Sequence, residues 1–272
     1  MKNNNIWLIA KITFKEGIRS KILYGIALLS GLLFISNLFI TQLFALEIGK
    51  VAVDVGFSVL SLAGLSIIFF LGIGLLSRDL HQKNICMIIC HPISRFKYVV
   101  GKFSGLALFL VIAVGILGVF AILSLWLGTN GAGGMETLRN FSWSMLCCSI
   151  FFNLLSLLMI LATGFLFTAV TTSVYLSMLL TFFVYIIGNT LDTIIKVLLK
   201  GEFVQVNLLV LKGLKLVSWI LPNLSAFDLK TSLAYGLPQD PVYLCWLTGY
   251  GILYTCVVLS AATIILHFKD IS

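Results

Sequence analysis

Charge is what this chain has least of. Only 10% of its 272 residues are charged, 60% are hydrophobic and the mean hydropathy is +1.11. A globule of this length has too little interior to hide so much apolar surface, so an ordinary soluble fold is excluded. A spaced cysteine framework is also missing. Cys147, Cys148, Cys245 and Cys256 fall in or beside apolar runs, and Cys86 and Cys90 lie in a basic loop, so all read as unpaired thiols. No Gly-x-x-x-x-Gly-Lys-Ser/Thr sequence occurs, which removes the phosphate-cradling loop of a P-loop ATPase. The apolar runs hold no ionisable residue at their centres, which argues against a proton- or sodium-coupled carrier. No constellation of nucleophile, base and metal ligand stands out, which argues against an intramembrane enzyme.

What is present is a series of long uncharged runs. A helix crossing a hydrocarbon core roughly 30 Å thick needs about 20 apolar residues. Six stretches meet that measure: 22–46, 55–76, 103–127, 143–167, 173–191 and 243–267. The fourth and fifth come from one charge-free stretch, 140–191, whose 52 residues suit two crossings joined tightly. The break is placed between Thr168 and Ser173, where Thr171, Thr172 and Ser173 can satisfy backbone groups at a turn. The first run is too long for a secretory signal core and is expected to stay as a span. The glycine-rich stretch Gly128 to Gly134 reads as a flexible connector.

The segment 192–241 is ambiguous. Phe203 to Leu221 is long enough to cross, but Lys212 and Lys215 near its centre would cost about 3 kcal/mol each. An external or re-entrant segment is expected there, broken by Gly201 and Pro222. The chain thus reads as one all-α, polytopic membrane domain, 1–272, with six spans; if Phe203 to Leu221 crosses instead, the count becomes seven and the C-terminus changes sides.

The formal net charge of +8 would suggest nucleic acid in a soluble protein, but here the charges lie between apolar runs and serve topology and anionic lipid instead. With both termini and the 77–102 loop inside, that side carries eleven of the basic residues and the other side seven. Both termini are therefore expected to be cytoplasmic.

Two cytoplasmic segments carry functional signals. In 1–21, Trp7, Ala10, Phe14, Gly17 and Ile18 recur at helical spacing opposite Lys11, Lys15 and Arg19, the pattern of an interfacial helix lying in the headgroup plane. The loop 77–102 is longer than a connection requires and holds an apolar middle, Ile85 to Cys90, between charged ends. That pattern suits a short helix docking on another protein. Cys86, Cys90 and His91, with His81 nearby, could be read as a metal site, but structural sites want four ligands at recognised spacings and here the cysteines punctuate an apolar helix. Gly101 and Gly105 match the small-xxx-small pattern, read as packing within the subunit. Asn37, Asn153 and Asn189 are amides in or beside spans and are candidates for a substrate path.

The loop also carries an ordered motif: Arg78-Asp79, then Pro92-Ile93-Ser94-Arg95, then Gly101-Lys102 heading the third span. In this the chain resembles the permease subunits of ABC-2 type ABC transporters, most nearly the subgroup associated with multicopper-enzyme maturation. Asp79 stands where that family more often has glutamate. The resemblance extends over nearly the whole chain, including the interfacial helix, six spans and a polar segment before the last one. It implies an export permease of a bacterial or archaeal plasma membrane, paired with itself or a sister permease. A separate ATPase would bind ATP and Mg, with no cofactor on this chain and no nucleic acid partner. It also implies a coupling helix whose contact residues are Asp79, Asn84, Ile85, Met87, Ile88, Pro92, Ser94 and Arg95. The alternative reading is a non-transporting assembly factor or scaffold that uses the loop to recruit a cytoplasmic partner.

The topology is open to direct mapping. A fluorescent-protein fusion at the C-terminus and an epitope inserted in 82–93 should both report the cytoplasmic side, the fusion being fluorescent and the epitope protected from protease in intact cells.

Overall fold

The computed structural model describes residues 4–20, 24, 28, 31, 35, 48–81, 94–131, 143–200, 213, 218, 220–235 and 239–268. Among the described residues there is no strand. Helix α1 covers Asn4–Arg19. A continuous rod follows, α2 (Ile48–Ile67), a π-helical segment (Ile68–Ile73) and α3 (Gly74–His81). Then come α4 (Arg95–Gly131), α5 (Trp143–Val170) and α6 (Val174–Lys200). A 3₁₀ turn (Ser225–Phe227), the short α7 (Lys230–Tyr235) and α8 (Pro241–Phe268) complete the order.

Five stretches among the described residues are long and apolar enough to cross a membrane: Val53–Asp79, Arg95–Ile122, Trp143–Val170, Val174–Ile195 and Pro241–Phe268. The expected span 22–46 lies outside the described residues apart from Tyr24, Leu28, Gly31 and Ile35, which are helical and exposed. The break between the fourth and fifth runs is where the hydroxyl residues stand. Thr171 donates its hydroxyl to the Phe167 carbonyl at 2.8 Å, Ser177 donates to the Ser173 carbonyl at 3.1 Å, and the two side chains meet at 2.5 Å. The carbonyls freed at this turn thus find partners without water.

Helix ends differ from the hydropathy boundaries. The second span starts within a helix that already contains Lys50 and Asp54, and it runs on to His81. The third begins at Arg95 and continues through Gly128 to Gly131, part of the expected connector. The fifth extends to Lys200. Hydropathy measures the thickness of hydrocarbon, whereas a helix continues into polar surroundings as long as its backbone bonds remain intact. The loop expected over 77–102 is therefore helical at both ends.

Helix α5 is the hub. It packs against the α2–π–α3 rod at Gly64 and Gly72, where a Cβ would come within 2.4 Å of Leu157 and 2.7 Å of Leu161. Gly164 of α5 faces Ile73, and Gly251 of α8 faces Leu155. Phe165 meets Phe103 of α4 edge to face, with centroids 5.7 Å apart. Where lipid is the solvent no hydrophobic force drives helices together, so close approach at small residues and dispersion hold them. Among the described residues the rod is the most enclosed span, with 67% of its apolar window buried against 28% for α6 and for α8. α6 and α8 leave Phe182, Phe183, Trp246 and Leu253 on the outside.

The described part of 192–241 packs down on the spans. The Leu224 N–H donates to the Gly188 carbonyl at 3.0 Å, and Phe227 is buried beside Phe152 and Tyr250. Asn223 accepts from Ser225 and from the Ala226 N–H, which closes the 3₁₀ turn. Lys230 bridges Asp54 at 3.2 Å and Asp228 at 3.4 Å. Partial burial pulls its ammonium down, but Asp228 and Asp54 outweigh that and raise its pKa. Phe203–Leu221, with Lys212 and Lys215, lies almost wholly outside the described residues.

Helix α1 lies on α4 through Gly101 and Gly105, so this small-residue pair packs within the subunit. A Cβ on Gly105 would sit 2.5 Å from the Ala10 carbonyl oxygen, and one on Gly101 would sit 2.9 Å from the Ile9 Cβ. Because backbone atoms form the obstruction at Gly105, Gly105→Ala should cost roughly 1–3 kcal/mol. Gly115→Ala, on the same helix with nothing within 4 Å of the new methyl, should be neutral or stabilising by up to about 1 kcal/mol. Thermal unfolding in detergent would separate the two.

Candidate functional site

The site is the platform from which the 82–93 stretch extends. Its two supports are the end of α3 and the start of α4. Ser94 precedes α4 at the N-cap position, its carbonyl accepting the Tyr98 N–H at 3.2 Å. One turn further on, Tyr98 and Lys102 stand four apart on the same helix face and reach across to α3. The Tyr98 hydroxyl donates to Asp79 Oδ2 at 2.8 Å, and Lys102 Nζ forms an ion pair with the same oxygen. The Lys102 ammonium also lies 5.8 Å from the centre of the Tyr98 ring. Lys102 is 4% exposed, so Asp79 is the partner that makes its charge tolerable there. Glu16 of α1 adds a second negative field acting on Lys102 and Tyr98.

Arg95 secures another helix. Its Nη1 donates to the carbonyls of Leu266 and His267, the latter at 2.9 Å, at the C-terminal end of α8. Those carbonyls have no partner within their own helix and carry the negative end of its dipole, so a guanidinium suits them. Three helix ends are thus joined: α3 to α4 through Asp79, and α4 to α8 through Arg95. α1 is packed against α4 beside the same cluster.

The structure brings Asp79, Ser94 and Arg95 together on this platform. Asn84, Ile85, Met87, Ile88 and Pro92 lie outside the described residues, as do Cys86, Cys90, His91 and Asn37. Asn153 and Asn189 have different hydrogen-bond partners. Asn153 donates to Ser61 at 2.7 Å across the α2–α5 contact, and its Oδ1 is buried with no hydrogen-bond partner among the described residues. Asn189 donates to the Tyr185 carbonyl of its own helix at 2.9 Å. Tyr98 and Lys102 were not among the expected contact residues. Their spacing of four was visible, but their partner across the loop was not.

The expected apolar face of α1 is divided. Ala10 and Gly17 are buried against α4 along with Ile9 and Thr13, whereas Trp7 is 67% and Ile18 48% exposed on an arc shared with Lys11, Lys15 and Arg19. Periodicity marks an apolar side chain as needing cover but does not say whether protein or lipid provides it.

Neutralising Asp79 alone should leave a buried ammonium unpaired. Asp79→Asn is expected to destabilise the protein by about 3–5 kcal/mol, and Asp79→Leu combined with Lys102→Met should recover most of that loss. Unfolding curves for Asp79→Leu, Lys102→Met and the double variant test the pairing; additive losses would contradict it.

No model of a known protein family matches the chain, and no curated protein is significantly similar to it.

Proposed function

We propose that this chain is the membrane-spanning permease subunit of an ATP-driven ABC transporter of the ABC-2 type, working as an exporter with a separate ATPase. The observation that carries the reading is the braced platform: the two helix ends flanking 82–93 are tied to each other, and one of them is tied to the last span. A partner pressing on 82–93 would load α3, α4 and α8 together, and the tight glycine contacts would pass that displacement to α5 as a rigid-body shift. The ordered elements Arg78-Asp79, Pro92-Ile93-Ser94-Arg95 and Gly101-Lys102 support the same assignment.

In this reading both termini and the 82–93 stretch face the cytoplasm of a bacterial or archaeal cell, and the span 22–46 brings the crossings to six. Residues 82–93 form the coupling helix seated in the ATPase, and α1 lies along the inner leaflet. The segment containing Pro222 to Lys230 caps the outer end. Two copies, or this chain and a sister permease, complete the pathway. ATP and Mg belong to the ATPase.

The test is coupling. A partner ABC ATPase should co-purify with this chain, and reconstituting the two in vesicles should raise ATP hydrolysis above that of the ATPase alone. Arg95→Ala combined with Asp79→Ala should lower that stimulation by roughly five- to 150-fold, the usual range for loss of coupling between two sites. Full stimulation by the double variant would refute the assignment. Stable binding with no effect on hydrolysis would favour a recruiting scaffold.

A further inference from the structure

Between α1 and the α2–π–α3 rod lies an open cleft of about 620 Å³. Its lining combines the cations Lys15 and Arg19 of α1 and Arg78 of α3 with the apolar Ile12, Phe70 and Leu75. Glu16 also lines it. Among the described residues none of the three cations is joined to a carboxylate. Three positive groups against one carboxylate give the lining a net positive charge.

The placement along the span narrows the anion's class. Arg78 stands at the end of the span Val53–Asp79. Phe70 is eight residues deeper, roughly 12 Å along the axis, and is 54% exposed. A ligand filling the cleft therefore meets cations at the membrane boundary and apolar side chains within the hydrocarbon. A phosphate ester carrying an acyl chain has that distribution; a free inorganic anion would leave the apolar wall unused.

We propose that this cleft is a binding site for one anionic phospholipid, its phosphate held by Lys15, Arg19 and Arg78 and an acyl chain lying on Ile12 and Phe70. The lipid would sit between α1 and the rod that carries Asp79, and so would set how firmly α1 is held beside the platform. This depends on the helices crossing a membrane and not on the transport reading, so either can fail without the other.

The test uses the purified full chain in detergent with phosphatidylglycerol, phosphatidylcholine of the same acyl chains, or inorganic phosphate. Native mass spectrometry reads lipid retention, and thermal unfolding reads stabilisation. Wild type should retain phosphatidylglycerol in preference to phosphatidylcholine, and Arg19→Ala combined with Arg78→Ala should reduce that preference roughly tenfold or more. Arg19→Lys combined with Arg78→Lys should keep most of it, which guards against loss by misfolding. Lys11→Ala, also exposed on α1 but outside the cleft, should match wild type. Equal retention of the two lipids by wild type, or an equal loss in Lys11→Ala, would overturn the site. A thermal shift with inorganic phosphate equal to that with phosphatidylglycerol would overturn the lipid assignment.

Discussion

Lys102 carries a charge that neither lipid nor apolar side chains can hydrate, and Asp79 is what makes its position tenable. Removing an ammonium from water costs several kcal/mol, which is recovered only when an opposite charge and further hydrogen bonds are in place. Here the carboxylate supplies the charge, and Tyr98 donates to the same oxygen. The requirement acts on geometry more than on net stability: it fixes the end of α3 relative to α4. Once those two ends are fixed, so are the points from which 82–93 begins and returns.

The rest of the molecule extends that rigidity. Helices in a bilayer gain nothing from excluding water between them, so they hold where their surfaces approach most closely. Gly101 and Gly105 let α1 lie on α4, while Gly64 and Gly72 let the rod lie on α5. The π-helical turn at Ile68–Ile73 sits within this contact, with Leu71, Gly72 and Ile73 all buried. At the other end of the bundle, irregular backbone from Pro222 to Phe227 is tolerated because it is covered by protein. Its N–H groups find the Gly188 carbonyl and the Asn223 side chain.

Much of this was legible in the residues. The charge-free run 140–191 divides where Thr171 and Ser173 allow it to. The last apolar run, 243–267, is two residues short of its helix at the start and one at the end. Gly101 and Gly105 announced a close contact, but their partner, α1, could not be named from the pattern. The helix ends were less legible because polar residues such as Lys50 and Lys97 read as loop while their backbones stay helical. Arg95 read as a docking cation; the structure gives it the carbonyl end of α8, a partner 171 residues away in sequence.

By itself, the sequence determined that this is a helical chain built to live in lipid and where its apolar runs can cross, because hydrocarbon thickness and unhydrated backbone leave few alternatives. It also marked the stretch after the second crossing as the polar segment most able to engage something else. Only the tertiary structure decided which charges neutralise each other, which glycine faces which backbone, and which side of α1 is turned to protein. Those outcomes depend on distances between residues far apart in the chain, which neither periodicity nor composition encodes.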